Sequence, residues 1–524
     1  MKSLIRIAVI TVQLFPFIGQ GQQFNISWTD NSKFSDSYVD AVLLKNGYYL
    51  MRKIDKSRSG LNVMSYTSNP AFVLVDKDMH IVKESSFELT EKKAGLGALR
   101  RFGNDVFYTY EEYESKQHTI YAVKINQETL KAERKMILAT LDEETYGIVS
   151  GIVYKISQDS SKVLLFAEDL GKKKANKQLY TVVFDSELKK IWSRTFELPM
   201  SGRMVSIEDQ DVTNDGKILV AVKQYEKTII TDLVQDKSHK VPPYEYKIFQ
   251  CTKEGPAKER RFDVGGHFIE GTRLAFDRSG LVTVAGLYKK SPNGRVTGIF
   301  YNSFDSTVSV ISKNQMLVFP KEILELVDKD GQGKSDGSDP GVSEYLRIKN
   351  ILRRSNGTID LITEVQVLNS YTQNNPNQYF YGKEYRNYIY GDIVNVNLDK
   401  EGRGQFTRVP KRQEGYQGDM ALGYYPLVYG DKLVLLYNDH ADNMTKDLSK
   451  APDHFATAKK AVLAAAIIDS KGLLTRKAVY AFREEKQMAL PKNFYPMSDG
   501  KYVMASVAGN MMSFRFGFGS LEVK

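Results

Sequence analysis

Eight times along this chain a two-residue polar turn is followed by a short apolar run, and no other feature restricts the possible folds as much. The turns fall at Asn46-Gly47, Gly103-Asn104, Asp159-Ser160, Asp215-Gly216, Ser279-Gly280, Asn356-Gly357, Gly430-Asp431 and Asp499-Gly500. Asn-Gly and Asp-Gly tolerate the positive φ that a tight hairpin needs, so each pair marks the joint between two antiparallel strands. The runs that follow, such as Val163–Ala167, Ile218–Val222, Ile359–Val365 and Leu433–Tyr437, are β-rich and apolar enough for strands buried on both faces.

A second set of tight turns lies at Asp76-Lys77, Asn126-Gln127, Asp185-Ser186, Lys253-Glu254, Asp305-Ser306, Lys400-Glu401 and Ser470-Lys471. Each unit is therefore strand, tight turn, buried strand, variable connection, strand, tight turn, strand. Four-stranded antiparallel units repeated around an axis make a β-propeller, which buries both faces of every sheet against its neighbours. The all-β chain is expected to form eight blades, with seven blades and a separate terminal hairpin as the alternative. The eighth unit, 494–524, runs out near Gly519 and lacks an outer strand, which Phe24–Trp28 can supply by closing the ring. The spacing of about 65 residues exceeds the roughly 40–50 of compact blades, so the excess lies in loops. Residues 22–524 form one domain in this reading. Two local signals sit within it: Ala456–Ile468 favours helix by composition, but its place before Ser470-Lys471 matches a third strand, so Val462–Ile468 is read as strand. Lys321–Val327, after Pro320, is the expected helix, with Leu324 and Val327 on one face.

Ser498-Asp499-Gly500-Lys501-Tyr502-Val503 and Asn214-Asp215-Gly216-Lys217-Ile218-Leu219 resemble the Asp-Gly turn repeats of TolB-type propellers, in the manner of secreted bacterial β-propellers. The resemblance covers a few residues per blade and implies no activity. The marks of WD repeats and the Asp-boxes of sialidases are absent.

Residues 1–21 read as a secretory signal peptide: Lys2 and Arg6 form the positive end, Leu4 to Ile18 is mostly apolar, and Gly19-Gln20-Gly21 is a small-x-small cleavage pattern. The expectation is export to the periplasm, the cell surface or the medium. Cys251, the single cysteine, cannot form an internal disulfide and is read as a buried small hydrophobe. No later stretch has the roughly 18 apolar residues of a membrane span. The formal charge of +10 is a modest basic bias that favours an anionic ligand, without the Lys/Arg runs that track nucleic acid.

In a propeller the second-to-third connections and the interblade connections emerge on one face. The long ones here, 55–70, 225–244, 320–343, 368–388 and 438–459, therefore crowd a single rim, where variable loops carry function on a rigid frame. Within the fourth, Tyr371, Tyr379, Tyr381 and Tyr385 lie among amides, a combination suited to the C–H faces and hydroxyls of a sugar; packing on the adjacent blade is the plainer account. Asp328, Asp330, Gln332, Asp336 and Asp339 fall at ligand positions of a loop that resembles an EF-hand calcium loop, with Gly333 at the sharp turn. Gln332 and Asp339 depart from the usual residues there, so a solvated acidic loop is the competing reading.

First strands line the channel and carry Arg100, Arg101, Lys155, Glu208, Asp209, Arg273, Arg347 and Lys349, with His267 and Glu270 ahead of the fifth. His267, Glu270 and Arg273 are the candidate ligand contacts in this mainly basic funnel. His440, Asp442, Asp453 and His454 share one connection in no known metal spacing and are read as solvated. Two function classes follow. One is an exported cell-envelope binding or scaffold protein holding a glycan or a protein on the decorated face. The other is a propeller hydrolase or lyase acting on polysaccharide, with paired carboxylates or a His/basic residue near the channel mouth. Nucleophile motifs are absent.

Overall fold

The computed structural model describes residues 23–28, 37–44, 46–54, 70–89, 97–142, 149–169, 176–229, 241–276, 280–292, 294–305, 309, 315–327, 342–343, 345–373, 383–416, 418–455, 460–496, 500–510 and 513–524. They form eight sheets, built mainly from antiparallel strands that follow one another in the chain; blade 8 also takes the N-terminal strand, and blade 6 a parallel strand from the blade 7 connection. Blade 4 is typical: Val205–Val212, Ile218–Tyr225, Tyr244–Cys251 and Lys258–Phe262 pair in that order from inside to outside.

The turn chemistry explains the repeat. Every first turn contains a residue at positive φ, namely Gly47, Gly103, Ser160, Gly216, Gly280, Gly357, Gly430 and Gly500. Four of the second turns add a carboxylate. Asp76, Asp185, Asp399 and Asp469 each accept, through Oδ1, the backbone N–H groups two and four residues on, at 2.8–3.0 Å. A short acidic side chain thus helps to close the outer hairpin, whose positive φ falls three residues on, at Met79, Leu188, Gly402 and Gly472.

The strands between these turns are apolar because both their faces are covered. Val282–Lys289 and Ala461–Ile468 are buried at every position. The alanine-rich segment is a strand, and pairing with Lys432–His440 on one side and Leu474–Ala481 on the other overrides its helical composition. The apolar core divides into eight clusters, each lying between two consecutive blades. The cluster of Tyr49, Met51 and Val73 with Val503, Ala505 and Phe518 joins blade 1 to blade 8, so the ring is complete. The chain is an eight-bladed β-propeller.

Ring closure uses the N-terminal strand. Phe24–Trp28 pairs with the last strand, Ser513–Val523, in a register running from Phe24 opposite Val523 to Trp28 opposite Gly519. That last strand continues past Gly519, where the strand pattern of the sequence runs out, and the glycine there makes room for the Trp28 ring: a Cβ on Gly519 would lie 2.5 Å from it. Blade 8 also differs inside, where two short segments, Met488–Ala489 and Tyr495–Pro496, take the place of one inner strand. The helix Lys321–Val327 forms as expected and buries Ile323, with Leu324 half-buried beside it.

Blade 6 is larger. Its second and third strands, Ile359–Gln373 and Lys383–Leu398, outrun the blade, and the overhang is covered by Arg412–Tyr416. That segment in turn pairs in parallel with His454–Phe455 from the long connection of blade 7. The tyrosine-bearing and histidine-bearing connections therefore meet on the same face.

Candidate ligand-binding face

The inner strands of blades 1, 3, 4, 5 and 6 each carry a β-bulge near their start, on the side of the decorated face. A bulge leaves one residue without a cross-strand partner and re-aims its neighbours. In three blades the next residue is polar and reaches the following blade. Asp40 accepts the Leu99 amide at 3.0 Å, Asp209 accepts the Leu274 amide at 2.9 Å, and Asn350 accepts the Tyr424 hydroxyl at 2.9 Å. Asp40 is also gripped by Arg52 at 3.0 Å, and Asp209 by Lys155 of blade 3 at 3.4 Å. These clasps set the inner strands against each other around the channel.

Between them lies a chain of ion pairs. Lys223 lies 3.5 Å from Glu208, donates to the Ile269 carbonyl at 2.9 Å, and lies 5.4 Å from the ring centres of Tyr244 and Tyr246. Glu270 is held by Lys289 at 2.8 Å and Arg347 at 3.3 Å. Burial works against its ionisation, but the two cations outweigh it and hold the carboxyl below its usual range. Glu364 and Lys411 form a fully buried pair at 2.8 Å, and Gln366 donates to Glu364 at 2.5 Å. Tyr390 donates to Asp419 at 2.7 Å and Lys492 binds the same oxygen at 2.5 Å; against the effect of burial these keep Asp419 ionised.

The channel charges singled out in the sequence thus divide. Lys155, Glu208, Asp209 and Arg347 are ion-paired. Arg100 lies over the Tyr154 ring at 4.4 Å and Arg101 donates to the Leu43 carbonyl. Among the described residues Arg273 meets the Glu208 and Thr272 carbonyls, each at 3.5 Å, and Lys349 the amide oxygen of Gln366, at 3.1 Å. His267 is half-buried, its ring edge-on to Tyr288 at 4.9 Å and its Nδ1 3.1 Å from the Val264 carbonyl oxygen, so one ring nitrogen is engaged. Of the candidate contacts, Glu270 and Arg273 stand at the channel mouth, and His267 stands beside a surface pocket.

That pocket, with a volume of about 350 Å³, opens on blade 4 and is lined by Val241, Pro242, Tyr244, Tyr246, Arg261 and Phe262 among others. Arg261 pairs with Glu245 at its rim, 3.0 Å apart. Tyr244 accepts the Ile269 amide through its hydroxyl at 2.7 Å, which fixes the ring as a wall. Aromatic walls with an ionic rim were not visible in the sequence, because Tyr244 and Phe262 lie on different strands and read as ordinary core residues.

In the tyrosine-dense connection, Tyr371 and Tyr385 face each other as backbone partners of the long hairpin, while Tyr379 and Tyr381 lie outside the described residues. Asp328, Asp330, Gln332, Asp336 and Asp339 also lie outside them. The histidine-bearing connection, expected to be solvated, is organised instead. Asn443 is fully buried; it donates to Asp439 at 2.7 Å and to the Asp453 carbonyl at 2.9 Å, and accepts the Asp453 amide at 2.7 Å. This brings ligand atoms of His440, Asp442 and Asp453 within 4.8 Å of one another. Lys460 and Lys446 already neutralise the two carboxylates at 2.9 and 3.0 Å.

No helix among the described residues is long and apolar enough to cross a membrane. No protein-family model matches the chain, and no curated protein matches it. Among solved structures it is similar to the β-propeller domain of the Trilobed protease from Pyrococcus furiosus, at 12% identity over 86% of this chain and 96% of that one, with a TM-score of 0.36. It is similar also to Sqt1 from Chaetomium thermophilum bound to the N-terminus of the ribosomal protein L10, at 10% identity over 95% and 98%, with a TM-score of 0.40. An oligogalacturonate lyase in complex with manganese is 9% identical over 96% and 98%, with a TM-score of 0.38. A β-propeller hosts many unrelated functions, so the function of this chain has to be argued from its own side chains.

Proposed function

We propose that this chain is an exported cell-envelope binding or scaffold protein that holds a glycan or a protein on the loop-decorated face of its propeller. Export rests on the leader-like residues 1–21. The observation that carries the binding reading is the open pocket on blade 4, with tyrosine and phenylalanine walls and the Arg261–Glu245 pair at its rim. Such a surface offers ring faces to sugar C–H groups and charged donors and acceptors to hydroxyls. The carboxylates of the adjoining channel mouth support the same reading. Glu208, Asp209, Glu270, Glu364 and Asp419 each have a cation within 3.5 Å, which leaves them poorly placed as an acid and base pair.

A broad glycan array and a pull-down from envelope extract, both with the mature chain, test the proposal. Retention of a defined ligand that weakens in Arg261→Ala, Val241→Asp or the pair Tyr381→Ala and Tyr385→Ala supports it. Turnover of a polysaccharide by the purified protein would replace it with the enzymatic alternative. Calcium in the Asp328–Asp339 loop belongs to the same proposal: added calcium should raise the melting temperature of the native chain and not that of Asp330→Ala.

A further inference from the structure

We propose that the channel mouth between blades 5 and 6 seats an anionic oxygen group, a carboxylate or a phosphate carried by the ligand, between the guanidinium of Arg273 and the ammonium of Lys349. The inference rests on the decorated face being a binding surface and deepens it by assigning the charge of what is bound.

The two side chains come from adjacent inner strands whose alignment is fixed. Glu270 of blade 5 pairs with Arg347 of blade 6 at 3.3 Å, and Gly271 lies against Ile348, with 3.8 Å from its Cβ position to Cγ2. The same offset sets Thr272 level with Lys349 and Arg273 one residue further along, close enough for its charge to act on the Lys349 ammonium. Lys349 is the bulged residue: Ile348 pairs with Thr363 and Asn350 with Ile362, which leaves Lys349 outside the ladder. Arg273 follows the equivalent bulge at Gly271.

The surrounding acids are already committed. Glu270 is held by Lys289 and Arg347, Glu364 by Lys411, Asp419 by Lys492, and Glu208 by Lys223. Among the described residues neither Arg273 nor Lys349 has a carboxylate at ion-pair distance, and the Lys349 ammonium is left with the neutral Gln366 oxygen. A guanidinium has five donors, and Arg273 uses one nitrogen on two carbonyls at the limit of hydrogen-bonding distance. Burial pulls the Lys349 pKa below its usual value, Glu364 opposes that, and the nearby charges of Arg273 and Lys492 add to it. Half-buried cations that repel one another are relieved by an anion between them, and a planar fork beside a point charge is the donor set that carboxylates and phosphates take.

Calorimetric titration of the mature chain tests this with a uronate trisaccharide, the neutral trisaccharide of the same linkage, and a sugar phosphate. The charged probe should bind at least about tenfold more tightly than the neutral one, and Lys349→Met or Arg273→Met should each weaken it by about tenfold to a hundredfold. Lys349→Arg should retain binding, which separates loss of charge from loss of fold. A response to the uronate alone assigns a carboxylate, and a response to the phosphate alone assigns a phosphate. Equal binding of charged and neutral probes, no binding of either charged probe, or full affinity in both methionine variants overturns the anion seat. A neutral glycan or protein captured equally well by those variants would overturn the seat and leave the broader binding function standing.

Discussion

The backbone amide of Leu274 in blade 5 donates to Oδ2 of Asp209 in blade 4 at 2.9 Å, so a side chain of one blade satisfies the main chain of the next. The other oxygen, Oδ1, lies 3.4 Å from the ammonium of Lys155 in blade 3. One nearly buried carboxylate thereby ties three blades together at the channel. Asp209→Ala would leave a buried amide and a half-buried ammonium without their acceptor, at a cost of about 2–4 kcal/mol. Asp209→Asn keeps an acceptor for Leu274 and should cost roughly half as much. Urea denaturation of the two variants checks the order, and equal losses would mean that the amide bond contributes nothing.

The clasp residues also show how far the sequence could be read. Asp40, Asp209 and Asn350 each stand seven residues before the glycine of their first turn, Gly47, Gly216 and Gly357. The turn glycines were legible because positive φ restricts the choice of residue. An acid or amide at a fixed offset was not, because only the bulge decides whether it faces the channel or the neighbouring sheet. The ring closure by Phe24–Trp28 was legible from the missing outer strand. The blade 4 pocket was not, since its walls come from strands that are adjacent in space and read as core in sequence. The organisation of 438–455 was hidden for a similar reason: its anchor, Asn443, is one polar residue among many in a polar segment.

Arg354 and Asp360 form a pair with no exposed side-chain surface, joined at 2.6 Å. The guanidinium also donates to the Asp431 and Asp469 carbonyls, each at 2.8 Å, and so staples blade 6, near its first turn, to both tight turns of blade 7. Asn395 and Asn397 complete the carboxylate's shell. Removing one partner of a buried pair strands the other, so Arg354→Met should lose about 3–5 kcal/mol. Arg403, exposed and paired with Asp399 and Glu401 in an outer turn, makes the contrast: Arg403→Met should leave the denaturation midpoint where it is.

Asp439 should make the stability of the fold depend on pH. Burial raises its carboxyl to about 7, although the Asn443 amide, the His440 N–H and the charges of Lys411 and Arg476 pull the other way. A carboxyl raised above its unfolded value of about 3.9 is stabilising in its protonated form. That contribution is complete below about pH 4 and is lost as the pH rises through about 7. Asp439→Asn keeps acceptors for both donors and removes the titration, so its stability should fall less than that of the parent between pH 4 and 8. Asp211, raised to about 6 by burial with Asp209 adding to it, accounts for part of the slope that persists in the variant. Superimposable stability curves for parent and variant across this range would show that Asp439 is ionised in the folded protein.

Ring closure predicts where the fold opens first. The N-terminal strand has five residues, and only alternate ones, Phe24, Ile26 and Trp28, turn toward protein. Trp28 packs edge-on against Tyr480 of blade 7 at 5.4 Å, so the strand holds blade 8 and leans on its neighbour. Trp28→Ala removes this anchor at about 3 kcal/mol by the cost of a large-to-small change, less what the half-exposed site already gives to water. The loss should be local. Amide hydrogen exchange should quicken along Ser513–Val523, whose partner is freed, before it changes along Lys162–Asp169 in blade 3, which is paired on both sides. A uniform rise in exchange across both strands would mean that the ring opens as one cooperative unit and that the seam between its ends is no weaker than the joints between blades.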